Sequence, residues 1–141
     1  SGAFAKKIKA ARADAQVVSV ACPLFVPLVE NGYIQRDCTV TKLVAADYLA
    51  PIKASGADTL ILGCTHFPII ADIIGDLLPG VTLISSGAAA ARAIAKEYPT
   101  SDTVGSSEFF VSDSPVNFDE VARVFLGGET VTAKKVDIEK Y

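Results

Sequence analysis

Residues 61–68, Ile-Leu-Gly-Cys-Thr-His-Phe-Pro, constrain this chain more than any other stretch. The apolar run Thr59–Leu62 stops at Gly63. A thiol, a hydroxyl and the only imidazole of the chain follow in order as Cys64, Thr65 and His66, and a new apolar-periodic segment begins at Ile69. This is the signature of a buried strand that stops at a sheet edge and hands over to a helix. In open α/β sheets, ligand sites lie at the carboxyl ends of strands, so the thiol and the imidazole stand where a small molecule is expected.

The rest of the chain repeats the same alternation. Short β-branched or apolar runs at residues 16–21, 58–63, 81–84, 109–111 and 131–138 read as strands. Helical periodicity covers residues 3–13, 39–50 (with Val40, Val44 and Tyr48 on one face), 69–78, 88–98 and 116–125. Residues 24–30 read as a helical or loop segment, Asn31-Gly32 as a turn, and residues 85–87 as another. Pro51 is expected to end or kink the helix before it. Ser114-Pro115 reads as a helix entry, and residues 99–107 as a Ser/Thr/Gly-rich linker. Strands alternating with helices predict an α/β fold, a parallel sheet covered by helices.

The chain has 141 residues, half of them hydrophobic and 21% charged, which suits one globular domain. The net charge is −3 and no basic block occurs, so nucleic acid is not an expected partner. No apolar run reaches the ~18 residues of a membrane span, so no membrane partner is expected either. The three cysteines, Cys22, Cys38 and Cys64, form no C-x-x-C pair, which fits a reducing cytoplasm better than a disulfide framework. The chain lacks methionine and opens directly into a helical pattern, so a piece of a longer protein is expected.

Cys64 is the first candidate for chemistry. Only the thiolate is a base or nucleophile, and a helix N-terminus or a neighbouring imidazolium lowers a thiol's pKa. His66 stands two residues away, so a thiol–imidazole pair is local or does not exist. Thr65 offers a hydroxyl to a carboxylate, or simply caps the following helix. The same residues admit plain structural roles: an unpaired cysteine is usually buried and inert, and a lone histidine often serves as a cap or a core residue. Cys22 reads as a buried strand-end thiol and Glu30 as a solvated loop carboxylate. The spacing of Cys22, Cys38, Cys64 and His66 matches no zinc pattern. No nucleotide-binding glycine motif appears, and no metal or cofactor is expected.

The octapeptide in its setting resembles the glutamate racemases of the aspartate/glutamate racemase superfamily. Residues 17–30 (Val-Val-Ser-Val-Ala-Cys-Pro-Leu-Phe-Val-Pro-Leu-Val-Glu) are similar to the family stretch leading to an active-site Glu. Tyr48-Leu-Ala-Pro-Ile, then Asp58-Thr-Leu-Ile-Leu-Gly-Cys-Thr-His-Phe-Pro, follow the family in order and spacing. Phe109-Phe-Val-Ser-Asp-Ser-Pro and Phe125-Leu-Gly resemble its C-terminal end. Where the family commonly carries Ile-Asp-Ser-Gly, this chain has Ile84-Ser85-Ser86-Gly87, which puts a local cap or domain contact in doubt.

The resemblance implies one lobe of a two-lobe racemase fold. Residues 1–92 would form the second catalytic lobe, and residues 93–141 would return to a first lobe whose Asp-Ser-Gly and Cys-Asn-Thr-Ala-like motifs this sequence lacks. It implies cofactor-independent racemisation of glutamate by two cysteines, for peptidoglycan synthesis. Cys64 would be one base, His66 would assist its proton transfer, and Glu30 would sit near the substrate ammonium or near His66. Thr65 and the backbone of Gly63 and Cys64 would hold the substrate carboxylate. The partners implied are glutamate, the missing N-terminal lobe and, for an unpaired lobe, a second copy in a homo-oligomer. A sister racemase, a cis–trans isomerase of small diacids and a non-catalytic truncated lobe are the competing readings.

Overall fold

Four-residue strands bracket the thiol and imidazole. Thr59–Leu62 (β1) and Thr82–Ser85 (β2) pair in parallel, with Thr59 opposite Thr82 and Leu62 opposite Ser85. In the computed structural model, residues 2–98 and 105–140 are described, without the side chains of residues 116 and 117. Before β1 come three helices: Ala3–Ala11 (α1), Phe25–Glu30 (α2) and Thr39–Ser55 (α3). Between the strands, a 3₁₀ turn at Phe67–Ile70 leads into Ala71–Leu77 (α4), and β2 runs directly into Ser86–Glu97 (α5). The remainder is a second βαβ unit, in which Phe109–Val111 (β3) and Ala133–Lys135 (β4) pair in parallel across Pro115–Phe125 (α6).

The core follows from helical spacing. Along α3, Thr41, Ala45, Leu49 and Ile52 recur three or four residues apart and are buried. They meet Phe25 and Val29 of α2, Leu62 of β1, and Ile70, Ile73, Ile74 and Leu78 around α4. Each fully buried Ile contributes about 1.5–3 kcal/mol of transfer free energy. Val44 and Tyr48 pack at the margin of this core, whereas Val40 is exposed, so the buried face of α3 lies one residue on from the stripe expected. Phe25 is wedged between Tyr48 and Phe67, edge-to-face at ring distances of 5.3 and 5.2 Å.

The fold is α/β with parallel strands, as expected, but several details differ. Residues 16–21 carry no regular secondary structure and belong to neither sheet, since no neighbouring strand offers them a ladder among the described residues. The β1–β2 and β3–β4 pairs are two separate two-stranded sheets. Pro51 does not stop α3, which runs on to Ser55; burial of Leu49 and Ile52 on either side offsets the hydrogen bond that proline removes. The turn expected at residues 85–87 is absent, because Ser85 ends β2 and caps α5 through a bond from the Ala88 N–H to its Oγ (3.2 Å). The last strand is shorter than expected, and Ile138–Lys140 forms a 3₁₀ turn. Of the linker expected at residues 99–107, residues 99–104 lie outside the described residues, and residues 105–108 lack regular structure. Among the described residues, no helix is long and apolar enough to cross a membrane.

Candidate active site

β1 is fixed by its pairing with β2 and by the burial of Leu62 at its end, so Gly63 starts the turn at the carboxyl ends of both strands. A side chain at Gly63 would meet the Phe4 ring of α1, its ideal Cβ standing 3.3 Å from Phe4 Cε2. Cys64 and Thr65 follow, and His66 caps the 3₁₀ turn, its carbonyl accepting the Ile69 N–H at 3.0 Å. Phe67, packed on Phe25, pins the far side of the turn to the core.

The imidazole of His66 joins the groups of this turn to α2. Its Nε2 lies 3.0 Å from Oε1 of Glu30, the last residue of α2. Its Nδ1 lies 3.2 Å from Thr65 Oγ1 and 3.8 Å from Cys64 Sγ. The carboxylate assigns the ring proton to Nε2, which leaves Nδ1 as an acceptor facing the thiol and the hydroxyl. A proton can therefore pass between Cys64 and Nδ1 while Glu30 stabilises the imidazolium that forms. Val29 is wholly buried, which anchors α2 and presents the next residue, Glu30, to the ring. His66 is mostly covered, its side chain 17% exposed, whereas Glu30 remains partly open to solvent at 41%.

Four residues singled out from sequence (Cys64, Thr65, His66 and Glu30) thus share one hydrogen-bonded cluster, and Gly63 directly precedes Cys64 in the chain. Of the two positions considered for Glu30, the one beside His66 is occupied. Cys22 and Cys38 are engaged elsewhere. The Cys22 thiol faces the Val20 carbonyl and is pushed up by burial. Cys38, at the start of α3, is held below the ordinary thiol value by hydrogen bonds at Thr41. Among the described residues, no group of three or more His, Cys, Asp or Glu is placed to hold a metal ion. Sequence reasoning missed two aromatic neighbours. Phe4 lies over Gly63, and Phe125 of α6 stands perpendicular to the His66 ring with centroids 4.8 Å apart. Neither carries a local signal, because each comes from a distant helix in which it reads as ordinary core.

No family profile matches the chain. Curated sequences do. The chain is 40% identical to a glutamate racemase of Geobacter metallireducens over 99% of its own length and 53% of that protein. It is 41% identical to one of Aquifex aeolicus over 92% of its length and 48% of that protein. Among solved structures, glutamate racemase from Francisella tularensis, in complex with D-glutamate, superposes with a TM-score of 0.82 at 30% identity, covering 99% of this chain and 54% of that one. Glutamate racemase isoform RacE1 from Bacillus anthracis gives 0.82 at 29% identity, over 97% of this chain and 53% of that one. The α/β fold is thus the one these racemase structures share. More narrowly, the chain belongs to the glutamate racemase family, and it spans about half the length of the curated relatives it matches.

Proposed function

We propose that this protein interconverts L- and D-glutamate without a cofactor, with Cys64 as one of two bases acting on opposite faces of the substrate Cα. The observation that carries this reading is the hydrogen-bonded row from Cys64 Sγ through His66 to Glu30 at the carboxyl end of β1. The Cys64 thiolate removes the Cα proton and becomes a thiol, while a thiol on the other face delivers a proton and becomes a thiolate. His66 exchanges the proton with Cys64 through Nδ1, and Glu30 keeps the ring in the tautomer that allows it. Thr65, with the backbone of Gly63 and Cys64, holds the substrate carboxylate. The Cα proton is weakly acidic, so fixed donors and exclusion of water must act together with the base.

The opposing thiol is not among those described, since Cys22 and Cys38 face other groups. On this reading, a further segment, matching the length by which the relatives exceed this chain, supplies the second base and closes the site, and residues 93–141 pack against it. The 141 residues by themselves then do not invert glutamate. The setting is the bacterial cytoplasm, where D-glutamate serves peptidoglycan synthesis.

The test is loss of the glutamate Cα proton signal in D₂O, starting from each enantiomer. Together with the complementary half of a relative, the signal should be lost from both with inversion, and Cys64→Ala should abolish the inversion. Retained inversion in Cys64→Ala would refute the assignment. L-aspartate and maleate in the same assay separate the sister activities.

A further inference from the structure

We propose that Phe125 is a positioning residue for His66, an inference that rests on the racemase reading only for its kinetic consequence. The two hydrogen bonds of the imidazole, at Nδ1 and Nε2, are both made by ring nitrogens that flank Cε1. The ring is tethered through Cγ and turns about the Cβ–Cγ bond, a broad torsion that two hydrogen bonds to side chains restrain only softly. Rocking swings the Nδ1 lone pair out of the direction of Cys64 Sγ, already 3.8 Å away, and of Thr65. A packing contact narrows that torsion, and Phe125, perpendicular to the ring at 4.8 Å, makes one of the geometry that aromatic pairs prefer.

Phe125 is itself held in place. It is the last residue of α6, whose neighbouring Val124 packs against the main core and whose Ala122 is buried. The helix ends in a Schellman cap: Gly127 takes φ 65°, and the Gly128 N–H bonds back to the Arg123 carbonyl at 2.8 Å. Phe125 is nevertheless 36% exposed, so it is a residue of the site's rim and not of the core. The second βαβ unit thereby reaches the imidazole of the reactive turn through Phe125.

His66 is the only histidine of the 141 residues, so when this chain alone is nitrogen-15 labelled, with or without an unlabelled complementary half, the labelled imidazole resonances belong to His66. Nuclear Overhauser contacts between the Phe125 and His66 rings are expected, with nitrogen shifts of a single Nε2–H tautomer. Phe125→Leu should remove the ring-current shift, mix the tautomers and move the pH profile of Cα exchange. A misplaced catalytic group costs up to ~10²-fold, so kcat should fall about tenfold while KM barely changes, because Phe125 makes no substrate contact in this scheme. Phe125→Tyr, which keeps the ring, should restore both spectrum and rate. The proposal is overturned if the ring contacts are missing, if Phe125→Leu leaves tautomer and pH profile unchanged, or if Phe125→Tyr loses as much as Phe125→Leu. Should the unaltered chain, assembled with the complementary half of a relative, fail to exchange glutamate at all, the racemase reading falls, while the imidazole spectra still decide the role of Phe125.

Discussion

At the scale of single residues, the site depends on one imidazole bonded at both nitrogens. Glu30 is the member whose charge matters most, because a carboxylate accepts the Nε2 proton and stabilises the ring when it becomes cationic. Glu30→Gln keeps size and one acceptor but loses the charge. General acid–base assistance is worth roughly 10²–10⁴-fold, so Glu30→Gln should lower kcat about 10²-fold with KM little affected; an unchanged kcat would show that His66 does not need its carboxylate. Cys64, Thr65 and His66 were legible in the sequence because they are contiguous and follow a strand. Glu30 was legible only through resemblance, since nothing in its own neighbourhood distinguishes it from a solvated loop carboxylate. Its identity as the partner of His66 depends on how α2 packs, through Val29 and Phe25, on the turn after β1.

At the scale of elements, periodicity located most helices, and tertiary context moved their ends. Pro51 reads as a stop because it removes a donor, but the helix gains more from burying Leu49 and Ile52 than it loses there. Residues 16–21 read as a strand from β-branched composition, yet a strand also needs a partner, which composition does not supply. The change of Asp to Ser at residue 85 cast doubt on a cap, and the structure answers it, because a serine hydroxyl accepts the Ala88 N–H as an aspartate would. The start of α3 carries a similar local device. Thr41 is wholly buried and donates its hydroxyl proton to the Tyr33 carbonyl at 2.6 Å, tying the loop after α2 to α3. Thr41→Val preserves shape and removes the bond. Urea unfolding should show a loss of about 1 kcal/mol, with Thr41→Ser falling between the two; an unchanged midpoint for Thr41→Val would mean that water replaces the hydroxyl at no cost.

At the scale of the whole molecule, two small parallel βαβ units are joined through contacts at α2, α6 and the reactive turn. Parallel sheets are ordinarily wide and covered on both faces, and here each has two strands, while α1 and α5 bury no residue of their own. Periodicity can foretell such strands but not how many neighbours each acquires, since that is decided by segments far apart in sequence. Stability must then draw on ties that span the first unit, and the Arg36–Asp76 pair is one. The guanidinium in the loop before α3 grips the α4 carboxylate with two bonds, Nε to Oδ2 at 2.9 Å and Nη2 to Oδ1. Those bonds hold the Asp76 carboxyl below its usual range and raise Arg36 further above its own. A carboxyl whose pKa is lower folded than unfolded contributes stability that is fully present above the unfolded value of about 3.9, and loses it as pH falls through the folded value. Arg36 stays charged throughout, so the titrating partner is Asp76. The urea midpoint should therefore drop on acidification from pH 5 towards pH 3, and Asp76→Asn should start lower and fall less steeply. Both groups are exposed enough for salt to screen them, so added salt should narrow the gap between the two proteins at pH 6. Parallel pH curves for the two proteins would place the acid sensitivity in other carboxylates and leave Arg36–Asp76 a contact without consequence for stability.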